Sequence, residues 1–439
     1  MGITPEKETS SNKGVRKLWD NAREQFRYVP LLGWLFAALI SVLVEQIAGN
    51  LFAQLLGISK VPVLFGFILA LSQPALIPNA IAYVLVIYIL PVLIVAKLIA
   101  NIANRLSAWL MGYPIVLSAI IHIGLLYATL QIWSSISDYR VLLLKLTLIA
   151  IIVTLSLNVV NGYMGEFSCS HPGFMAVGAY VASVLTVLFF VNGSAFGAAI
   201  LPKVLAPYMF PIILVIAGLI TAASALLVAI PSFRTRGDYL AIISLAFMFI
   251  VKSTVENLEI IGGARGFTGQ PDLATLPVVF IWTIASVWII NNFVRSTVGK
   301  ALNAVRDGEL AAEAMTVDTR KTKMTAFLFA AFWAGVAGGL FAHVLRYVNP
   351  GTFGVQKLAE VLAMVYFGGL NSVVGSVVGA ISLTILGEAL RPLEIFKWII
   401  IPIILILVMI YRPTGMIAFT DLDMKKLLKP KQKPETGEV

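Results

Sequence analysis

The 439 residues are 59% hydrophobic and only 12% charged, with a mean hydropathy of +0.92 and a formal net charge of +10. A soluble globule of that composition would expose more apolar surface than water tolerates, so the expected fold class is all-α, a polytopic transmembrane helical bundle. The excess of Lys and Arg is what cytoplasmic loops and tails collect, and it carries no argument for nucleic acid. A single cysteine, Cys169, excludes an internal disulfide, and His122, His171 and His343 are too scattered for a metal site.

In chain order, residues 1–30 are polar and hold Lys13, Arg16, Lys17, Arg23 and Arg27 ahead of the first apolar run. A small-residue cleavage site after a short apolar core is missing, so this segment reads as a cytoplasmic N-terminal tail. Windows of about 20 apolar residues, the length that crosses the hydrocarbon, fall near 31–52, 80–99, 113–133, 141–161, 174–192, 209–230, 239–258, 277–294, 324–345, 358–372, 376–391 and 396–411. That gives about 11–12 membrane-spanning helices. The stretch 61–78 is interrupted by Gln73, Pro74 and Pro78 and reads as re-entrant or interfacial. The positive-inside rule puts the N-tail, a loop at Lys97 and Arg105, a loop at Arg234 and Arg236, an island from Arg295 to Lys323 and the Lys-rich end on one side, the cytoplasm. The chain divides into the tail, additional N-terminal spans over 31–135, a core over 136–416 and a cytoplasmic C-terminal tail over 417–439.

The island is the densest charge inside this greasy chain. Between two spans such a run must be solvated or paired with a partner. Ala301, Leu302, Val305, Ala312 and Met315 fall near one helical face, while Arg306, Asp307, Glu309 and Glu313 fall mostly on others. Read on residue types alone, this is a helix from about Ala301 to Met315, solvated or seated in a groove. Gly335 with Gly339, and Gly375 with Gly379, have the spacing that lets helix backbones approach, and packing within the chain is the favoured use. Glu45, the pair Lys252 and Glu256, and Glu360 read as paired or snorkelling charges.

Five motifs in order carry a resemblance. They are Leu157 to Gly165 with Ser168, His171 and Gly173 to Tyr180; Arg236 to Ile242; Gly262 to Phe267; Gly299 to Ala312 through Ala304, Val305, Arg306, Asp307 and Glu309; and Gly368, Gly369, Ser372 and Gly375 closing on Arg412, Pro413 and Gly415. Together, over roughly 140–416, they resemble the M-type permease subunit of branched-chain amino acid ABC importers.

The resemblance implies one half of a translocation pathway for branched-chain or other neutral amino acids. Its implied partners are a second, H-type permease subunit, two cytoplasmic ABC ATPase subunits, an extracytoplasmic amino-acid-binding protein and membrane lipid, in a bacterial-type plasma membrane. The chain itself would bind no cofactor; ATP and Mg would belong to the ATPases. Ala301, Val305, Arg306, Asp307, Glu309, Ala312 and Met315 would be the coupling helix, with Arg236 and Asp238 as a second ATPase contact or as ordinary charge anchoring. Gly262, Gly263, Arg265 and Gly266 would face the binding protein or form a plain turn.

Asn158, Asn161, Ser168, His171, Asn371 and Ser372 sit at two broken, glycine-rich joints, where a pathway for a zwitterion would find polar groups. Interhelical hydrogen bonding is the competing use of each. The sequence departs from the family pattern at Thr316 and Asn371, where glycine is usual, and at Ser170 and Pro172. An ion-coupled secondary transporter is the rival class, which would need buried acidic or histidine relays that this chain supplies poorly. An ATPase site in this chain is unlike its sequence: Gly299 and Lys300 are followed by Ala301, and Val294 stands where a P-loop needs glycine.

Overall fold

The computed structural model describes residues 26–58, 74–192, 196–234, 239–420 and 422–431. Arg236 and Asp238, most of the 61–78 stretch and nearly all of the N-terminal tail lie outside them. Among the described residues nine helices are long and apolar enough to cross a membrane, and the chain is an integral membrane protein of the expected all-α class. Of the three remaining expected spans, those at 376–391 and 396–411 are shorter apolar helices, and that at 358–372 falls on a 14-residue helix, Val355–Gly368.

The chain forms two compact units, Met1–Arg140 with Asp423–Val439, and Val141–Leu422. The first holds α1 (Leu31–Leu55), α2 (Ile77–Met111) and α3 (Ile115–Ser134). Within α2 a π turn occupies Leu85–Ile89, directly before Pro91, whose missing N–H a widened turn accommodates. Lys97 and Arg105 lie inside this helix rather than in a loop. No glycine or proline stands between Pro91 and Gly112 to end it, so the helix runs straight through the two charges. A short helix, α15 (Met424–Leu428), belongs to the same unit. Asn104 gathers both ends of the described chain: its Nδ2 donates to the Tyr28 carbonyl at 2.8 Å and its Oδ1 accepts from Lys431 N at 2.8 Å.

Glu45 of α1 pairs with Arg140, which stands at the start of α4 (Asp138–Met164). Both guanidinium amines reach the carboxylate, at 3.0 and 2.8 Å, and each residue is 1% exposed. The Trp133 ring and carbonyl and the Tyr83 hydroxyl close the cluster. Such a buried pair is bearable because the carboxylate and both terminal guanidinium amines have partners.

The second unit is built on α11 (Thr319–Leu345), which is buried on nearly every side from Ala326 to His343. It lies against α5 (His171–Phe190) and α6 (Ala206–Ser232). The approach is as close as the glycine spacing predicts. A Cβ at Gly178 would overlap the Gly335 backbone, and one at Gly338 would overlap the Met175 carbonyl. Packing inside the chain is therefore what these glycines serve. His343 is spent there too, bonded to Thr186 Oγ1 at 2.9 Å and to the Gly339 carbonyl at 2.8 Å.

Around this centre run α7 (Tyr239–Asn257), α8 (Leu276–Arg295), α12 (Val355–Gly368), α13 (Val373–Ala389) and α14 (Glu394–Tyr411). Lys252 pairs with Glu256, and Lys357 with Glu360, as membrane-edge charges should. Away from the island, two short strands, β1 (Phe267–Thr268) and β2 (Tyr347–Val348), pair antiparallel.

Candidate functional site

The island after α8 is two helices, not one: α9 (Thr297–Asp307) and α10 (Glu309–Ala314). Gly308 between them is extended, at φ −179° and ψ 95°, so the expected single helix over 301–315 is broken there. Glycine is the poorest of the non-proline helix formers, and the break falls on it. Ser296 caps α9, its Oγ accepting from Gly299 N. Leu302, Val305 and Ala312 are buried, as the face reading expects. Met315 is the correction: it is 77% exposed, and Leu310 is 70% exposed, because the break turns the face of α10 away from that of α9.

The segment is held against the joint between α4 and α5. There α4 ends in a π segment, Val159–Met164, and the chain reverses at Gly165, φ +76°. Arg306 of α9 lays its stem over Gly165 so closely that a Cβ there would meet its side chain. Its guanidinium reaches the Gly162 carbonyl at 3.4 Å, Asp307 at 2.8 Å and the Phe419 ring at 5.7 Å. A second tie comes from Lys323 on α11. Its ammonium lies 2.6 Å from Glu166 in the joint and 2.9 Å from Glu309, the first residue of α10. Glu166, Glu309, Lys323, Arg234 and Arg320 line a polar cavity of about 210 Å³.

The joint itself is a dense hydrogen-bonded node. Asn158 Oδ1 accepts from Asn371 N at 3.1 Å, and its Nδ2 faces Ser376 Oγ at 2.6 Å, the Ser372 carbonyl at 3.0 Å and the Gly369 carbonyl at 3.3 Å. The two glycine-rich joints expected from sequence are thus one place. Gly162 is needed there, since a Cβ would overlap Asn158 Oδ1 and crowd Asn371 N. Asn158 is 1% exposed and spends its amide on the chain itself, so in this conformation it serves interhelical bonding. Ser372 is spent likewise, on Gly375 N and the Thr420 carbonyl.

Asn161 accepts from Ser168 N at 3.3 Å and lies beside Tyr366. Ser168 shares a 2.9 Å hydroxyl contact with Ser170. His171 is fully buried next to Phe174, its ring near the Ser156 carbonyl without a full hydrogen bond. Pro172 stands in the first turn of α5, where its missing N–H costs nothing. In the loop between, burial pushes the Cys169 thiol up from its ordinary value and keeps it neutral.

Elsewhere the Gly262–Gly266 turn takes left-handed conformations at Gly262, Gly263 and Gly266. The Arg265 carbonyl accepts from Tyr347 at 2.8 Å, and Gly266 packs on the Val348 carbonyl. This turn is braced by the β1–β2 pair, at the end of α11 far from the island.

The whole stretch that contains these features, residues 139–410, matches the family model described as branched-chain amino acid transport system / permease component. The chain belongs to that family. Two curated relatives are the high-affinity branched-chain amino acid transport system permease proteins LivM of Escherichia coli (strain K12) and of Salmonella typhimurium. They are 32% and 31% identical over 315 residues, covering 64% of this chain and 70% of each relative. No solved structure matches. Both relatives are named as permease proteins of a transport system.

The two positions at which the resemblance led us to expect glycine have a conformational reading. Thr316 lies at φ +64° and Asn371 at φ +55°. Thr316 N donates to the Glu313 carbonyl and Val317 N to the Ala312 carbonyl, each at 3.0 Å, the bond pair of a Schellman helix end. That end asks for glycine at Thr316, and a β-branched residue there is strained; asparagine at 371 tolerates the same region far better.

Glu166 and Lys323 were not singled out by sequence reasoning as partners. The available signal was that Glu166 is a lone acid at the end of an apolar span and that Lys323 is the last charge of the island before the next span, of opposite sign and therefore suited to pairing.

Proposed function

We propose that this chain forms half of the translocation pathway of an ATP-driven importer for branched-chain amino acids. It works beside a second permease subunit, with two ATPases docking on α9 and α10 and an extracytoplasmic binding protein delivering substrate. One observation carries this reading. The segment α9–α10 is tied on its inner side to the pathway joint through Arg306 and Lys323, and on its outer side it leaves Leu310 and Met315 bare. Exposed apolar side chains on a charged, solvent-facing loop suit a protein partner. A push on that surface would be passed to Gly162, Glu166 and, one turn of chain away, Asn158 and Asn161.

This reading puts the island, with both chain ends, in the cytoplasm and the Gly262–Gly266 turn outside, in a plasma membrane of bacterial type. ATP and Mg are then the business of the ATPases. Asn161, Ser168, His171 and Asn371 remain the polar groups nearest a pathway.

Glu309→Lys tests the reading, since it sets a cation against Lys323 at the head of α10. The expected outcome is a chain that still inserts and still co-purifies with the second permease subunit but shows no ATP-driven uptake in vesicles. Uptake that survives the change, or that runs on an ion gradient with no ATPase present, overturns it.

A further inference from the structure

At the end of α5, α6 and α11 opposite the island lies a cavity of about 370 Å³, lined by Phe190, Val191, Lys203, Gln270, Leu273 and Arg346. The direction follows from chain course: α5 leaves the Glu166 joint and ends at Phe190, and α11 leaves Thr319 and ends at Leu345, next to Arg346. The volume lies within the range of small-molecule clefts.

Its chemistry is one-sided. Neither Lys203 nor Arg346 has an ionic partner among the described residues, and no acidic residue lines the cavity; Asp272, one position from two lining residues, is exposed. Ala206 and Pro207, also in the wall, are the amino end of α6, which adds partial positive charge. Gln270 is 2% exposed, and its Nε2 donates to the Phe267 carbonyl at 3.1 Å while its Oε1 has no hydrogen-bond partner. A buried amide oxygen left unpaired is costly unless a donor arrives. Phe190, Val191 and Leu273 supply an apolar wall. Two free cations, a spare acceptor and an aliphatic surface together match a molecule with a carboxylate, an ammonium and an alkyl side chain.

We propose that this cavity is a subsite for a free aliphatic amino acid, holding the α-carboxylate between Lys203 and Arg346, the ammonium toward Gln270 Oε1 and the side chain against Phe190, Val191 and Leu273. It rests on the transport reading above and adds a place where this subunit alone receives substrate. The two cations stand at surface positions, so the site is open to water and its hold is weak. Weak holding suits a station from which substrate must move on.

The test uses the full chain in phosphatidylcholine nanodiscs, titrated calorimetrically with L-leucine and with L-leucinamide, which lacks the carboxylate. L-leucine is expected to bind, and leucinamide about tenfold or more weaker. Lys203→Gln with Arg346→Gln weakens leucine by about tenfold and Gln270→Met by about threefold, changes of the size a lost charged or neutral hydrogen bond produces. The proposal is overturned by no leucine binding, by equal affinity for the amide, by unchanged affinity in the double variant, or by glycerol phosphate displacing leucine with higher affinity, which would mark a lipid-headgroup site. ATP-driven uptake by the assembled transporter is measured in parallel. Normal uptake without leucine binding by this chain removes the subsite and leaves the transport reading intact; binding without uptake does the reverse.

Discussion

Two clusters of buried charge hold this protein together, and they are built to opposite standards. In the N-terminal unit Glu45 and Arg140 are both 1% exposed and meet through two short bonds, with Trp133 and Tyr83 sealing the rest. In the core, Lys323 has a side chain 9% exposed, but its two carboxylates, Glu166 and Glu309, are 24% and 35% exposed. The first cluster is closed and has one arrangement. The second is half open and shares one cation between two anions on different elements, so one bond can lengthen while the other persists. The difference separates a charge used to fix structure from a charge used where elements must move against each other.

The comparison breaks most readily at the closed cluster. Glu45→Gln strands a buried guanidinium, a loss of about 3–5 kcal/mol for a broken buried pair. The expected outcome is little folded protein in detergent, read by fluorescence size-exclusion, with Glu45→Met plus Arg140→Met recovering most of the yield. Equal yields for the single and double variants would show that the pair is not what fixes this unit.

At the open cluster, Lys323→Met removes the shared cation but leaves both carboxylates access to water. The expected stability loss is about 1–3 kcal/mol, smaller than at Glu45, while ATP-driven uptake falls far more than stability and Lys323→Arg restores part of it. A loss of uptake in strict proportion to folded protein would make this pair merely structural as well.

The smallest change sharpens the picture at the exit from α10. Thr316→Gly removes left-handed strain at a Schellman end and should raise stability by about 0.5 kcal/mol, net of glycine's greater unfolded freedom. A thermal-unfolding comparison of the two chains checks it; destabilisation would mean that the threonine side chain contributes a contact that outweighs its backbone.

Much of this architecture is legible in the residues because membrane-length apolar runs are a strong signal. Among the described residues nine long apolar helices and two shorter ones stand where the windows put them, the window at 358–372 falls on the short helix α12, and the island between α8 and α11 is as charged as its composition implies. What periodicity could not show was the break at Gly308, since a helical pattern continues across a glycine without any mark of whether the chain bends there. The face assigned to Met315 failed for that reason. The Lys97 and Arg105 loop failed because charge was taken to mark a turn, whereas a helix can extend past the hydrocarbon without changing conformation.

The meeting of the two joints through Asn158 and Asn371, 213 positions apart, has no local signature at all. The glycine departures at Thr316 and Asn371 were legible as unusual positions, and their left-handed backbones give those departures a physical meaning.

One consequence of Asn104 concerns the bookkeeping of crossings. A single side chain bonds the backbone at Tyr28 and at Lys431, so the first and last described stretches meet at one place in the N-terminal unit. On the transport reading this predicts an even number of crossings between the two stretches, and reporters fused near residue 28 and near residue 431 are expected in one compartment; finding them in different compartments overturns it.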